Sequence, residues 1–575
     1  MKAFFFLLLS FVVILSIANF RRNEIIDNTN SENSSIASKK KFTIRCSPDY
    51  LPSDNETIPM LSGWGNYQWK VSTISDSAQF YFNQGINMYY AFHIIESRAS
   101  FDKASKFDPY CAMAWWGKAL AFGPNINDFG YKRPNEAFAS SNKALELIEK
   151  STAFERALID AISVRYSADS LISQDKLNVL YTHQMNKVYL QFYKNENAGA
   201  LYADALLLLH PWNLYNHDFS PKSWTPEIVS VLKHTLQLNS KHPGANHYFI
   251  HAVEASAHPQ DALKSAKFLA TAMPDVSHIT HMPSHIYIRS GYYNEGINVN
   301  EAADKGFNKY LGYFPTTQQN IALYSLHNLH MKLNCAQMAG NYKKAIEASE
   351  ALQSQIPSFY LQIPGALGNY VQYLHQSSLF THVRFGKWKE ILSQNINDSL
   401  ANTAVLQHFA RGMALVKTNQ LAGAKEELNK MQTLMQVASL KEVFTPFNSA
   451  YDASRIGENI LKGTIAEKEN NKIATIKYFK IAVDCEDKLI YNEPRDWLLP
   501  ARQYLGNALL RFGRYSEAIS IFQKDLFTNP NNGWSLTGLS ACYRSLNQSK
   551  KFHLNEKKIK AAWVGSDVTI VSAVY

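Results

Sequence analysis

The chain has 575 residues, about four times the length of a typical single domain, which indicates several domains or one elongated repeat array. Apolar residues make up 46% and charged residues 18%, which excludes a disordered or low-complexity protein. The net charge of +10 comes from scattered basic residues, so no nucleic-acid-binding stripe is indicated. The five cysteines are far apart and never in a C-x-x-C arrangement, which indicates neither a disulfide framework nor a thiolate metal site.

Residues 1–18 are typical of a secretory signal peptide. A 16-residue apolar run, Ala3 to Ala18, follows Lys2 and ends in small residues suited to cleavage. The run is shorter than the roughly 20 residues of a membrane-spanning helix, although Arg21 and Arg22 could hold it in place as an uncleaved anchor. We expect cleavage, which would leave a periplasmic or secreted protein without a membrane span.

The rest of the chain divides by composition into three parts. Residues 19–70 begin with a stretch rich in Asn, Ser and Lys, which predicts a flexible spacer. Residues 71–548 contain successive amphipathic helices of about a dozen residues, which predict the folded body. Residues 549–575 are expected to form a C-terminal capping tail.

Several of the predicted helix pairs share small and aromatic residues at a 34-residue period. These residues are Gly85, Phe101, Ala104 and Pro109, then Tyr287, Gly291, Tyr293 and Ala303, then Gly340, Tyr342 and Ala345, then Gly386 and Trp388, and finally Gly506, Gly513, Tyr515, Ala518, Phe522 and Pro530. The pattern resembles the tetratricopeptide repeat (TPR), a helix-turn-helix unit with a small residue where its helices touch. The resemblance implies an all-α, right-handed superhelical solenoid of stacked repeats, with a concave face built from the first helix of each unit.

Histidines are concentrated in one part of the predicted solenoid. Nine of the 18 lie within 89 residues, between positions 242 and 330. His247 and His251 are four residues apart, as are His281 and His285, and this spacing places two imidazoles on one helix face. Each histidine of the second pair follows its counterpart by 34 residues, so the two pairs are expected to face the same way.

This phase predicts a transition-metal site on the concave face. Imidazole suits zinc, copper, iron and nickel, and we expect copper, zinc or iron as the cofactor. His278 is also predicted to face the groove. The candidate ligands, which could supply three imidazoles to each of two coppers, are His247, His251, His281, His285, His327 and His330.

Two further side chains are candidate catalytic groups if the site is that of an enzyme. Glu254 follows His251 by three residues on the same stripe, where it could bind metal, orient a ligand or act as a general base. Arg289 is the other nearby candidate. No phosphate loop, Gly-x-Ser-x-Gly elbow or dinucleotide fingerprint is present, so the sequence does not support nucleotide-driven or serine-hydrolase chemistry.

Other interpretations of the histidines remain open at this level. The concave groove could bind a peptide or an envelope-protein partner without metal, as TPR arrays commonly do. A cluster of imidazoles could instead sense pH, or simply pack. These interpretations differ in whether the side chains point towards one another, towards solvent or into the core.

A wider resemblance covers nearly the whole chain. The segments that carry it are Asp108 to Gly117, Gly123 to Asn127, His242 to His247, His281 to Arg289, Tyr491 to Pro494 with Trp497, and Asn532 to Trp534. These segments are similar to sequences in a group of exported bacterial TPR proteins. The resemblance implies a bacterial source and the same fold, and it implies no activity.

Overall fold

The computed structural model describes residues 58–128, 131, 134–313, 323–443 and 447–575. The predicted signal peptide, residues 1–18, and the predicted spacer up to residue 57 lie outside the described residues. Within the described residues, regular structure consists of α-helices and short 3-10 turns.

The first half of the described chain forms thirteen α-helices. They are α1 (Asp76–Tyr90), α2 (Ile94–Phe107), α3 (Ala112–Ala121), α4 (Asn135–Glu146), α5 (Ala153–Ser163), α6 (Gln174–Gln191), α7 (Glu196–Leu209), α8 (Thr225–Leu238), α9 (Pro243–Val253), α10 (Leu263–Ala272), α11 (Ser277–His281), α12 (Pro283–Ser290) and α13 (Tyr293–Tyr313).

The second half forms thirteen more. They are α14 (Leu323–Met338), α15 (Tyr342–Gln355), α16 (Gly365–His375), α17 (Ser377–Arg384), α18 (Trp388–Leu392), α19 (Ala401–Lys417), α20 (Leu421–Leu434), α21 (Ala450–Lys468), α22 (Lys472–Asp487), α23 (Ala501–Arg511), α24 (Tyr515–Thr528), α25 (Gly533–Ser545) and α26 (Ser549–Ala562). Most helices pack against their neighbours in sequence. The predicted all-α solenoid of stacked helix pairs is confirmed.

The recurring glycines and phenylalanines hold neighbouring helices close together. Phe101 on α2 is fully buried between Gly85 of α1 and Gly117 of α3. A Cβ atom would lie 2.9 Å from the ring at Gly85 and 2.4 Å from it at Gly117. The aromatic ring therefore occupies the space that two absent side chains leave, which is the packing that the repeat pattern predicts.

The buried apolar residues form two large clusters. One cluster draws on residues 58–286 together with Tyr310, and the other on residues 326–573. A smaller third cluster includes Ile288 and Met331, which are close to the histidines in sequence, together with Trp534 of the C-terminal repeats.

The C-terminal repeats pack back onto α13 and α14, and α14 carries His327 and His330. The Trp534 indole donates a hydrogen bond to the Gln337 carbonyl at 3.0 Å, and the Tyr293 hydroxyl donates one to the Pro530 carbonyl at 2.8 Å. Gly291 has a left-handed φ of +78°, and a Cβ there would lie 2.3 Å from the same Pro530 carbonyl oxygen. These residues are more than 190 positions apart in sequence, so the contacts close this part of the array.

Both ends of the described chain are packed. Residues 58–70, which composition assigned to the spacer, place Ile58 and Trp64 in the core at 2% and 1% exposure. The C-terminal tail crosses two turns of earlier repeats, where Trp563 and Ile570 pack over Gly340. The described part of the predicted spacer is therefore ordered against the helices.

Among the described residues, no helix combines the length and the apolar character that crossing a membrane requires.

We expect Gly506→Ala to destabilise the protein by about 1–3 kcal/mol, the usual cost of overpacking a filled core. A Cβ at Gly506 would lie 2.6 Å from the ring of Phe522, which is fully buried against Gly506 and Gly538. Gly423→Ala is the matched control, because its Cβ would meet nothing closer than Leu415 at 3.4 Å. Urea unfolding measures both variants, and a Gly506→Ala protein as stable as the control would contradict this packing.

Candidate metal centre

Helix α9 carries the first histidine pair. The helix begins with Pro243, whose missing amide donor is tolerated at this position, and the Nδ1 atom of His242 accepts a hydrogen bond from the Ala245 amide at 3.0 Å. These two residues fix where the helix starts. His247 and His251 then lie on one face, with their rings 4.9 Å apart.

The second pair spans a helix boundary. Helix α11 ends at His281 and helix α12 begins at Pro283. The spacing of His281 and His285 predicts that they share one uninterrupted helix, and they do not. Met282 between them keeps helical torsion angles, with φ of −48° and ψ of −37°. The two rings therefore remain 4.8 Å apart.

Six histidines gather into two groups of three. In each group, one ring nitrogen from each of the three histidines lies within 4.8 Å of the other two. We call them triad A, which comprises His247, His251 and His278, and triad B, which comprises His281, His285 and His327.

The Nε2 atoms converge in both triads. In triad A the Nε2 atom of His247 lies 3.1 Å from that of His251 and 3.1 Å from that of His278. In triad B the Nε2 atom of His285 lies 2.9 Å from that of His281 and 3.3 Å from that of His327.

These positions change the predicted ligand set in two respects. His330, a candidate ligand, is fully buried beside the Tyr373 ring and belongs to neither triad. His278, which the sequence places on the same face without assigning it as a ligand, takes the third position of triad A. The two pairs also belong to separate triads rather than to one shared site, because each meets a third histidine from another helix.

Hydrogen bonds fix the outer nitrogen of four of the six rings. The Nδ1 atom of His247 donates to the Tyr90 carbonyl at 2.7 Å, and a carbonyl oxygen can only accept. The Nδ1 atom of His281 lies 2.7 Å from the Oδ1 atom of Asn300, whose amide nitrogen donates to the Gly296 carbonyl. The amide orientation is thereby set, and His281 also donates from Nδ1.

The Glu254 carboxylate holds one histidine of each triad. Its Oε1 atom lies 3.0 Å from Nδ1 of His251, and its Oε2 atom lies 2.6 Å from Nδ1 of His285. Its side chain is 2% exposed. Glu254 therefore orients ligands in both triads through their outer nitrogens, and its two oxygens do not point at either group of Nε2 atoms.

These bonds direct Nε2 lone pairs towards the centre of each triad. A neutral imidazole that donates from Nδ1 presents a lone pair at Nε2. In triad A, His247 and His251 point two such lone pairs at each other across 3.1 Å. In triad B, the Nε2 lone pair of His281 faces Nε2 of His285 across 2.9 Å, where a protonated His285 would donate to it. A contact between two lone pairs is repulsive unless a cation or a proton lies between the nitrogens.

The separations fit ligands of a single ion. Imidazole nitrogens about 2.0–2.1 Å from zinc or copper are roughly 2.9 Å apart at right angles and about 3.5 Å apart at 120°. The four measured Nε2 separations, from 2.9 to 3.3 Å, fall within that interval. In each triad the central nitrogen therefore lies at metal-site spacing from the other two.

Burial keeps most of these rings uncharged. Burial disfavours the charged form and neighbouring imidazoles add repulsion, so the pKa is lowered well below its ordinary value in four of them: His247, His278, His281 and His327. Burial acts the same way on His285, but the charge and hydrogen bond of Glu254 outweigh it and raise its pKa. The histidines in turn lower the pKa of Glu254 to about 2, although burial opposes this.

Three large aromatic residues around the site adopt left-handed backbone conformations. Phe92, Trp212 and Phe219 have φ values of 59°, 60° and 67°. The Phe92 ring lies 4.5 Å from His247 and the Trp212 ring 5.1 Å from His251. Such strain costs about 1–3 kcal/mol per residue and is concentrated at functional sites in proteins. The other described non-glycine residues with positive φ are asparagines, which tolerate this region.

Arg289 lies beside the site, but its donors are taken up by the backbone. Its Nε and Nη2 atoms donate to the carbonyls of Glu254 and Ser256 at 3.3 and 3.1 Å, and Nη1 donates to Thr528 at 3.0 Å. The guanidinium joins the end of α9 to the end of α24. Its geometry is that of a structural link rather than of a proton-transfer group.

A distant loop adds two groups that sequence reasoning did not assign to the site. The Tyr491 hydroxyl donates a short hydrogen bond to Glu493, and the charge of Glu493 acts on His285. Tyr491 also lines a small cavity next to His251 and Glu254. The only sequence signal for this loop was that the segment from Tyr491 to Pro494 resembles a segment of exported TPR proteins. Such a resemblance does not tell where the loop lies in the structure.

Comparisons with known proteins add no identification. No protein-family model matches the chain, and no curated protein matches it in sequence. Solved structures with some likeness include the human IFIT1 dimer with m7Gppp-AAAA, with 13% identity over 85% of this chain and 90% of that chain at a TM-score of 0.29. The yeast Tom70 structure has 13% identity over 85% and 93%, with a TM-score of 0.30. The fold assignment rests on the helix packing described above.

We expect acid to destabilise the protein through His242. Burial lowers its pKa from 6.5 to about 3, so between these values the unfolded chain binds a proton that the folded one does not. Its contribution to stability is complete above pH 6.5 and is lost as pH falls, by about 2 kcal/mol at pH 5. His242→Asn keeps an acceptor at the helix start but does not titrate.

Urea unfolding at pH 7 and pH 5 measures this effect. The difference in stability between the two pH values should shrink by about 2 kcal/mol in His242→Asn relative to the unaltered protein. His553→Asn, a change at an exposed histidine, is the control and should leave the difference unchanged. An equal pH dependence in His242→Asn and the unaltered protein would contradict the interpretation.

Proposed function

We propose that the protein binds two transition-metal ions, one in each histidine triad. The observation that carries the proposal is the convergence of three Nε2 atoms in each triad, with separations of 2.9 to 3.3 Å from the central nitrogen, while an acceptor lies against Nδ1 of four of the rings. A metal ion at the centre of each triad would receive three imidazole nitrogens, six in all. Buried nitrogens that face one another with neither a proton nor a cation between them are costly, so packing alone does not favour the arrangement of triad A.

The donor set narrows the choice of metal. All six proposed ligands are neutral nitrogens, since the Glu254 oxygens are directed to Nδ1 atoms. Imidazole alone suits copper, zinc and iron, whereas calcium and magnesium require oxygen ligands. We therefore propose copper, zinc or iron, with Glu254 as a positioning residue shared by both triads.

A peptide-binding groove receives less support at this surface. The histidines that the sequence placed on a concave face are buried, with His247 and His281 at 0% exposure and His251 at 5%. The C-terminal repeats also contact this region through the Arg289 guanidinium and the Thr528 carbonyl. A peptide would need to displace the chain itself to reach the imidazoles.

We also propose that the protein is exported, as the resemblance to exported bacterial TPR proteins implies, and therefore that it binds metal outside the cytoplasm. The support is the apolar run Ala3 to Ala18 behind Lys2.

We expect two equivalents of metal per chain in protein purified without a histidine tag and reconstituted with copper or zinc. His247→Ala and His281→Ala should each lose one equivalent, and the double variant should lose both, because each change removes one of the three proposed ligands of a triad. His183→Ala, at an exposed histidine, is the control. Elemental analysis gives the stoichiometry, and circular dichroism verifies that each variant is folded.

Two results would overturn the metal proposal. One is a folded, reconstituted protein that holds less than about 0.2 equivalents of every metal tried, since a preformed site of three imidazoles fills readily. The other is a double variant that retains as much metal as the unaltered protein.

Glu254→Gln should lower metal affinity about 10- to 100-fold while leaving saturation at two equivalents. A glutamine amide can accept from only one of the two Nδ1–H groups, so either His251 or His285 loses its orienting partner. Competition with a chelator measures the affinity. Glu295→Gln, at an exposed carboxylate on α13, is the control, and equal affinities in the two variants would contradict the positioning role.

A further inference from the structure

A small cavity lies against the candidate metal centre. Its volume is about 30 Å³, and His251 and Glu254 form part of its wall. His251 belongs to triad A, and Glu254 is bonded to one histidine of each triad. A molecule in this cavity therefore touches both a proposed metal ligand and the group that orients ligands in both triads.

The size of the cavity restricts its occupant. A volume of about 30 Å³ is two to three times the roughly 10–15 Å³ that one water molecule requires by the same measure, whereas pockets for drug-sized ligands measure about 300–1,000 Å³. An amino acid, a sugar or a phenol does not fit. Molecules of two or three heavy atoms do.

The lining favours an uncharged occupant. Most of the wall is apolar or aromatic, and includes Ile126, Leu207, Leu214 and Ile490 together with Trp212. The nearest charged group is the Glu254 carboxylate, which repels anions. A neutral diatomic molecule satisfies both conditions, because it loses little hydration on entering an apolar space.

One residue of the cavity wall is exposed and another is held rigidly. Ile490, which lines the cavity, is 37% exposed, so an entrance is expected on its side. Trp212 forms the wall next to His251; its backbone is held in the left-handed region, and its indole donates to the Ile126 carbonyl at 2.9 Å. The Tyr491 hydroxyl is directed to Glu493 by its hydrogen bond.

We propose that this cavity admits a neutral diatomic ligand of the dioxygen class to the metal centre. The proposal rests on the proposed metal-binding function and gives it a substrate class. It assigns Trp212, Ala255 and Tyr491 as residues that shape the space the ligand enters. Carbon monoxide is a suitable probe, because it is neutral and diatomic and binds copper(I) reversibly without electron transfer.

The test compares variants that differ in how they fill the cavity. Ala255→Leu adds three carbon atoms to a residue of the cavity wall. Ala257→Leu makes the same change two residues later, at a partly buried position that does not line the cavity, and is the matched control. Each protein is loaded with copper(I), its copper content is measured, and carbon monoxide is titrated while its infrared stretch is followed.

We expect the unaltered protein and Ala257→Leu to bind carbon monoxide equally. Ala255→Leu should retain its copper and bind carbon monoxide at least tenfold more weakly. Copper-loaded, unaltered protein that binds no carbon monoxide would overturn the cavity proposal while leaving metal binding intact, and so would equal affinity in Ala255→Leu. Failure of the unaltered protein to hold copper would instead count against the proposed function.

A second variant covers the case in which Ala255→Leu fails to hold copper. Ile490→Trp narrows the exposed end of the cavity at a residue that is already 37% accessible, where a larger side chain is more easily tolerated. It should slow the binding of carbon monoxide at least tenfold with copper content unchanged. Unchanged binding rates in Ile490→Trp would overturn the proposed entrance.

Discussion

The Glu254 carboxylate is the group on which the arrangement of both triads depends. A carboxylate at 2% exposure is costly unless both oxygens have partners, and here the partners are Nδ1 atoms of His251 and His285 at 3.0 and 2.6 Å. Because those two nitrogens face outward, the Nε2 atoms of the same rings must face inward. The burial of one charge thereby determines the direction of a ligand in each triad.

The repeat architecture supplies the six histidines of the triads from four helices, and contacts with the rest of the chain fix their positions. His247 is anchored to the Tyr90 carbonyl at the end of α1, and His281 to Asn300 on α13. Arg289 joins the end of α9 to Thr528 at the end of α24. Because the solenoid contacts itself in this way, the histidine triads are buried and anchored and do not line an open concave surface.

Backbone strain near the histidine triads also indicates a site of fixed geometry. Phe92 and Trp212 adopt backbone conformations that large side chains normally avoid, and both rings pack against proposed ligands. Removing either strain would move a wall of the histidine cluster. That these conformations persist indicates that the surrounding packing is strong enough to impose them, as a site of fixed geometry requires.

The sequence by itself determined the helix pairs and the face that most of the histidines share, because both follow from periodicity along one chain. The Phe101 packing and the repeated spacing of His247 and His281 are of this local kind. Only the tertiary structure decided which histidines meet, since that depends on how separate helices cross. It placed His278 beside His247 and His251, left His330 outside both triads, and brought in Tyr491 from a distant loop, whose position no periodicity encodes.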